Sequence, residues 1–318
     1  MEAVPQLPFN GNIFETRARE WARDLKGGVT PTVDLRPYSH FDIAAVGEML
    51  AFWIAAQEGK LGCGKCPPAK IILPEDERAE CFLLKIKPFQ FASSRGDVFW
   101  GVHDLARYEQ DVNAAENQTR HGYYPFMPFT HVVKRTIGEK RKEFFENQCS
   151  VLLNRLVVQF HDALEQHLGF DRISVGEFWQ PNKELLENIY FHSDSWGYAV
   201  IQTSKSGVVI FYADVGIGIL RALEPQKEIV IAKIGRPWSE ATAIEGAFVR
   251  GITGQPGKSR GDGLDVVKNY VQQNKGNITC RSGAAKVSFE VNGKVHRSIV
   301  EHIPGVQIRI YLPTKKHT

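Results

Sequence analysis

Apolar positions along the chain alternate between helical and strand spacing. Ile43, Val46, Leu50, Trp53 and Ile54 recur every three or four residues, which predicts a helix over 43–57. Lys70–Leu73 (KIIL) reads as a short buried strand, and Glu77–Ile86 as a second helix that stops before Pro88. With the β-prone run closing 29–35, this predicts a small α/β unit. From Ser93 to Gly138 no period holds. That stretch is rich in aromatics (Phe99, Trp100, Tyr123, Tyr124, Phe126, Phe129) and reads as a connector or a substrate-facing surface.

The strongest helical period follows. Phe145, Cys149, Leu152, Leu156, Phe160, Leu164 and Leu168 trace one stripe over Glu139–Leu168, and Gly169 supplies a stop. The segment FDRISVGEFWQP then reads as non-helical, with Pro181 and Asn182 opening a helix over Lys183–Phe191. Tyr198–Thr203 and Val208–Tyr212 are β-rich runs around a hairpin at Ser204–Gly207. Ile219–Arg260 is mixed in character and long enough for a mobile lid. Leu264, Val267 and Val271 mark another helix, and Asn277–Ser282 and Val306–Leu312 read as closing strands.

Composition narrows the class without naming it. The chain has 318 residues, 43% hydrophobic and 24% charged, as in an ordinary globular protein of two domains. A net charge of +3 gives no argument for nucleic acid or an anionic membrane as partner. The amino terminus lacks the apolar core of a signal peptide, and the longest apolar run, Ile43–Ala56, is interrupted by Glu48 and too short to span a bilayer. A cytoplasmic home is expected. Five cysteines fit a reducing compartment. Cys63 and Cys66 form a single CxxC, and zinc would need two further ligands, so a plain turn carrying two thiols is the expectation.

The chemistry concentrates between Glu184 and Gly263. Glu184 and Asn188 lie four residues apart and so share one helix face, with His192 one turn further on. A carboxylate there can deprotonate an attacking water or hydroxyl, while an amide oxygen one turn away ligates Mg²⁺ beside phosphates. Asp214 ends the second β-run, where a carboxylate can accept the exocyclic amino hydrogen of adenine. Gly216 and Gly218 let the backbone approach the base. Gly257-Lys258-Ser259-Arg260-Gly261-Asp262-Gly263-Leu264 precedes a helix whose first amides form an anion site, and Lys258 and Arg260 add positive charge. Two simpler motifs fail on spacing: a P-loop would need glycine at Ile252, and a dinucleotide fingerprint would need glycine at Arg221.

In the order Glu184…Asn188, Asp214-x-Gly216-x-Gly218, Gly261-x-Gly263-Leu264, the region 139–318 resembles the GHKL superfamily, which includes gyrase-type ATPases, sensor histidine kinases and anti-sigma serine kinases. The resemblance implies a Bergerat-type α/β sandwich, a mixed and largely antiparallel sheet with helices on one face. It implies ATP and Mg²⁺ as cofactors, Asn188 as the Mg²⁺ ligand, Asp214 as the adenine contact and Gly216 and Gly218 beside the base. Gly261 and Gly263 would hold the phosphates, and Glu184 would be the general base. Val306 stands where many members place a threonine that helps bind adenine.

RLVVQFHDALEQHL resembles the phosphoacceptor helix of one class of sensor kinases. Only 26 residues separate His161 from Asn188, too few for the second dimerisation helix, so His161 reads as an ordinary helix residue. VDLRPYSHFDIAAVGEMLAFWIAA resembles the strand-turn-helix of STAS-type domains, but Ile43 follows Asp42 where that family keeps its phosphoacceptor serine or threonine.

The expected organisation is a STAS-like α/β domain at 1–92, a connector at 93–138 and a GHKL ATP-binding domain at 139–318. The expected activity is ATP hydrolysis or γ-phosphoryl transfer to a protein by a regulatory protein, with a non-catalytic ATP-dependent switch as the alternative. A protein partner or substrate follows from that reading, and a homodimer is compatible with it.

Overall fold

A computed structural model describes residues 7–29, 32–86, 99–100, 123–129, 158, 161, 165, 172–192, 197–254 and 263–314. The chain divides into two compact units, Met1–Met127 with Val200–Gln202, and Pro128–Ala199 with Thr203–Thr318.

In the first unit, β1 (Leu7–Phe9), α1 (Gly11–Lys26), β2 (Thr32–Asp34), β3 (Tyr38–Phe41), α2 (Ile43–Gln57), β4 (Ala69–Ile72), α3 (Glu77–Ile86) and β5 (Phe99–Trp100) follow one another. Strand β1 pairs in parallel with β3, and β2, β4 and β5 form a parallel three-stranded sheet. Asn10 caps α1, its Oδ1 accepting from the amides of Asn12 and Ile13 at 3.1 and 3.2 Å.

Helix α2 spans the residues its apolar spacing predicts, yet it is buried on every side rather than on one face, Glu48 included. A helix apolar all round belongs in a core. Trp21 of α1 packs on Phe52 and Trp53 with ring centroids 5.8 and 5.5 Å apart. Asp42 caps α2, its Oδ1 accepting from the amide of Ala44 at 2.9 Å, which gives the aspartate of this turn a structural task.

The second unit carries α4 (Arg172–His192), the ends of β7 (Gly197–Thr203, whose Val200–Gln202 group with the first unit), β8 (Gly207–Asp214), α5 (Gly218–Leu223), a 3₁₀ turn at Glu224–Gln226, α6 (Lys227–Ile234), α7 (Glu240–Ala247), α8 (Gly263–Gln273), β9 (Asn277–Phe289) and β10 (Val295–Pro313). Strand β6 (Tyr123–Phe129) precedes them. Four strands form an antiparallel sheet in the order β7-β8-β10-β9. The expected Ser204–Gly207 hairpin is present, Ser204 N donating to Gly207 O at 2.8 Å.

Register sorts the side chains. Tyr212 faces Ile308, Ile210 faces Ile310, and Cys280 and Ile278 lie opposite the same two residues of β10, so all six share one face, and all are buried. That face meets the helices: Tyr212 Oη donates to Asn182 Oδ1 of α4 at 2.7 Å. The neighbouring register positions carry Thr279, Arg309 and Tyr311, all half-buried. Phe178 of α4 packs on Tyr270 of α8 at 5.0 Å. The unit is mixed α/β, built on this antiparallel sheet.

Two elements differ from expectation. Helix α4 begins at Arg172, not Pro181, so the segment read as non-helical is helical and Pro181 sits inside it. Proline there removes one donor to the carbonyl of Glu177 and sets its ring against that carbonyl, at a cost of about 3 kcal/mol; the buried side chains of Phe178 and Asn182 hold the helix on both sides. Strands β9 and β10 run well past the predicted ends and meet at Asn292-Gly293, with Gly293 at φ +78° and Glu290 N donating to Lys294 O at 3.0 Å. The Asn-Gly pair between alternating residues is the signal that marks this hairpin.

The Glu139–Leu168 helix lies largely outside the described residues. Val158, His161 and Glu165 are helical, and the His161 ring stands edge-on to Trp179 of α4 at 5.2 Å.

Candidate functional site

One end of the second unit holds a cavity of 460 Å³, and its lining is drawn from both the helices and the strands. Helix α4 contributes Glu184, Leu185, Asn188 and Ile189. Strand β8 contributes Tyr212 and Asp214, the turn after it Ile217 and Gly218, and β10 Val306 and Ile308. The first residues of α8, Gly263 and Leu264, close one side; Arg221, Leu223, Ile252 and Thr253 close another.

The sequence explains why these meet. Four-residue spacing puts Glu184 and Asn188 on one flank of α4, while Leu185 and Ile189 turn towards the sheet. Helix α4 lies close on β7: a Cβ at Gly197 would overlap the side chain of Ile189. Asp214 is the last residue of β8 and is 4% exposed, so its carboxylate faces the cavity from a buried base. Its Oδ1 accepts from the amide of Gly216 at 2.8 Å, which fixes the side chain relative to the turn.

The turn itself is tied down from two strands. Gln307 Nε2 donates to the carbonyl of Asp214 at 2.9 Å. The Ser282 hydroxyl donates to Gly305 O at 2.8 Å and accepts from the amide of Ile219 at 2.9 Å, joining β9, β10 and the start of α5. Two glycines permit this closeness. Gly218 has φ +73°, and a Cβ would stand 3.1 Å from Ser282 Oγ. Gly305 has φ +85°, and a Cβ would lie 2.2 Å from the carbonyl oxygen of Asp214.

Glu184 is oriented by its own helix. Gln180 Nε2 donates to Glu184 Oε1 at 2.7 Å, leaving Oε2 directed at the amino terminus of α8, where a Cβ on Gly263 would stand 2.7 Å from it. A side chain at this position would require the Glu184 carboxylate to shift aside. Below the cavity, burial raises the Tyr212 hydroxyl well above its ordinary value. Burial, with the neighbouring Asp214 charge, also raises the Cys280 thiol. Both therefore stay neutral beneath Asp214.

Of the sequence-predicted residues, Glu184, Asn188, Asp214, Gly218, Gly263 and Leu264 line this one cavity, and Gly216 bonds to Asp214. Lys258, Arg260 and Gly261 lie outside the described residues, as does the side chain of His192. Val306, read as the position where a threonine hydroxyl is replaced, is part of the lining.

Sequence reasoning passed over the apolar walls: Leu185, Ile189, Ile217, Ile219 and Ile308. Leu185 and Ile189 are each one residue beyond a named polar position, the signal available for them. Ile308 is visible only through strand register.

The stretch expected to act as a lid holds α5, α6 and α7. Its last helix is fastened to the β9–β10 hairpin. The Arg297 guanidinium meets both carboxylate oxygens of Glu245 at 2.5 Å, which raises the Arg297 pKa, and Glu240 Oε2 accepts from the amide of Ala284 at 2.8 Å. Phe248 packs on Phe289 at 4.7 Å.

No family model matches the chain, and no curated protein matches it significantly. Among the described residues no helix is long and apolar enough to cross a membrane.

Proposed function

We propose that the second unit is a Mg-ATP site of the GHKL type, and that the protein hydrolyses ATP or passes its γ-phosphoryl group to a protein. One observation carries this reading: a carboxylate and an amide one helical turn apart, a buried strand-end carboxylate and a glycine at a helix amino terminus line a single cavity. Nothing in local sequence brings these together, since Glu184 and Gly263 are 79 residues apart in number. The cavity has the size of a small-molecule site, roughly 300–1,000 Å³. Its walls are apolar with a few convergent polar groups, as a purine with a charged tail requires.

The residues suit the ion and the nucleotide. The Asn188 side-chain oxygen is a hard, neutral ligand on the cavity wall that would hold Mg²⁺ together with phosphate oxygens. The ion, when bound, offsets the negative charge that builds on the transferred group. Asp214 would accept a hydrogen from the exocyclic amine of adenine, and Ile217 and Ile308 supply apolar lining of the same cavity. Val306 offers no hydroxyl there, so the base is recognised through Asp214 and shape. Glu184 Oε2 accepts a proton from the attacking water or hydroxyl, while Gln180 holds Oε1 and so sets the direction of the free oxygen. The α8 amino terminus presents backbone N–H groups and a positive dipole end to the phosphates.

The test is phosphate release and ATP binding by the full chain and by Glu184→Ala. We expect Glu184→Ala to lose turnover by about 10²-fold or more while binding ATP with affinity within a few fold. Turnover equal to that of the native chain would remove Glu184 from the role of base. Absence of turnover in the native chain, with ATP still bound, would point instead to the non-catalytic switch.

A further inference from the structure

The loop between α2 and β4 carries a second kind of chemistry. Helix α2 ends at Gln57, and its last carbonyls are met by amides of the loop that follows. Gly59 N donates to Ala56 O at 3.1 Å, Lys60 N to Ala55 O at 2.8 Å and Cys66 N to Ala56 O at 3.1 Å. Gly59, Gly62 and Gly64 all take left-handed backbone, at φ +72°, +78° and +76°. A Cβ at Gly59 would stand 3.2 Å from the backbone of Gly64 and Lys65. The loop therefore curls back on itself in a way that only glycine allows, and the curl brings Cys63 Sγ to 3.4 Å from Cys66 Sγ.

Both thiols are free and half-buried. A disulfide has an S–S distance of about 2.05 Å, so closure needs a sulfur displacement of about 1.4 Å, within reach of side-chain rotation alone. Metal binding is the other use of a CxxC. Among the described residues no group of three or more metal-binding side chains accompanies this one, and a structural zinc takes four ligands.

We propose that Cys63 and Cys66 form a dithiol modification site that closes to an intramolecular disulfide when the protein meets a hydroperoxide. Cys63 is the attacking sulfur. Its thiolate takes the terminal oxygen of the hydroperoxide, breaking the O–O bond; with one proton this gives Cys63 sulfenic acid and the alcohol, or water from hydrogen peroxide. Cys66 then attacks the Cys63 sulfur and displaces hydroxide, which leaves as water with the Cys66 proton. The two sulfurs lose two electrons and the hydroperoxide gains them.

The roles follow from the surroundings. Burial and the Cys63 neighbour push the Cys66 thiol up to about 11, which makes it a poor first nucleophile towards the peroxide and leaves it the second, resolving step. Its amide is also bonded into the α2 terminus, which holds it in place, while Cys63 stands between Gly62 and Gly64. Closure locks the turn that satisfies the end of the most buried helix of the first unit.

The experiment uses the full reduced chain, hydrogen peroxide as oxidant, rapid trapping with N-ethylmaleimide and mass analysis of the peptide containing both cysteines. We expect that peptide to become about 2 Da lighter and to carry no maleimide, at least about tenfold faster in the native chain than in urea, with Cys81 still free. Cys66→Ser is expected to abolish the mass loss and to leave Cys63 reactive with dimedone, and Cys63→Ser to give at least about tenfold less dimedone adduct at Cys66. Equal rates in native and unfolded protein, pairing of either thiol with Cys81 instead, or equal adducts in the two variants would overturn the proposal. None of these readouts depends on ATP.

Discussion

At the residue scale the cavity depends on backbone approaches as much as on its polar groups. Gly305 shows this best. Its φ of +85° and the 2.2 Å that would separate a Cβ from the Asp214 carbonyl leave no room for any side chain. Gly305→Ala is expected to cost about 2–4 kcal/mol of stability, from strain and overpacking together, and to displace Asp214; thermal or urea unfolding of the variant measures the first effect. A loss below about 0.5 kcal/mol would mean that the β10 turn yields easily. The polar residues were legible in the sequence because chemistry restricts them: a carboxylate and an amide at helical spacing, and an aspartate before two glycines. Gly305 was not. Its need for a bare Cα comes from a strand contact 91 residues away in number, which no local pattern records.

At the scale of elements, α2, α3, β4 and the β7–β8 hairpin were readable because their periods are strong and their ends carry stop signals. Helix α4 was misread at its start because proline is a good opener and Pro181 precedes a good helix. Burial of Phe178 and the hydrogen bond from Tyr212 to Asn182 hold the helix through the proline despite the lost hydrogen bond and ring clash. The junction of α5 with the sheet depends on one hydroxyl. Ser282→Ala removes the acceptor of the Ile219 amide and the donor to Gly305 O in a buried place. It is expected to destabilise the fold by about 1–3 kcal/mol, read from its urea midpoint. Ser282→Thr, which restores the hydroxyl, should recover part of that loss if its methyl fits. No change in Ser282→Ala would show that the two bonds are replaced elsewhere.

At the scale of the whole molecule, a mixed α/β class with an antiparallel sheet was foreseen, and the parallel strand pairing of the first unit agrees with a small α/β unit. That Ile308 joins these cavity walls was not visible, since strand register decides it. The buried, neutral Tyr212 and Cys280 give this protein a defined alkaline weakness. Both folded-state values lie above the unfolded ones of 10.0 and 9.0, so their contribution is fully present below pH 9 and is lost as pH rises through 9 and 10. Each group costs about 1.4 kcal/mol per pH unit while it is ionised only in the unfolded chain. Tyr212→Phe should therefore show a shallower fall in stability between pH 10 and 11 than the native chain, in urea unfolding at each pH. Identical slopes would mean that Tyr212 ionises in place.

The central claim is that the cavity between α4, α8 and the sheet binds Mg-ATP. Calorimetric titration of Mg-ATP into the full chain, beside Asn188→Ala and Asp214→Ala, tests it most directly. Saturable binding of one ATP per chain is expected. Asn188→Ala should weaken it by about tenfold or more only when Mg²⁺ is present, and Asp214→Ala by about tenfold or more with or without Mg²⁺. Absence of heat and of saturation in the native chain, or binding unchanged in both variants, would contradict the account.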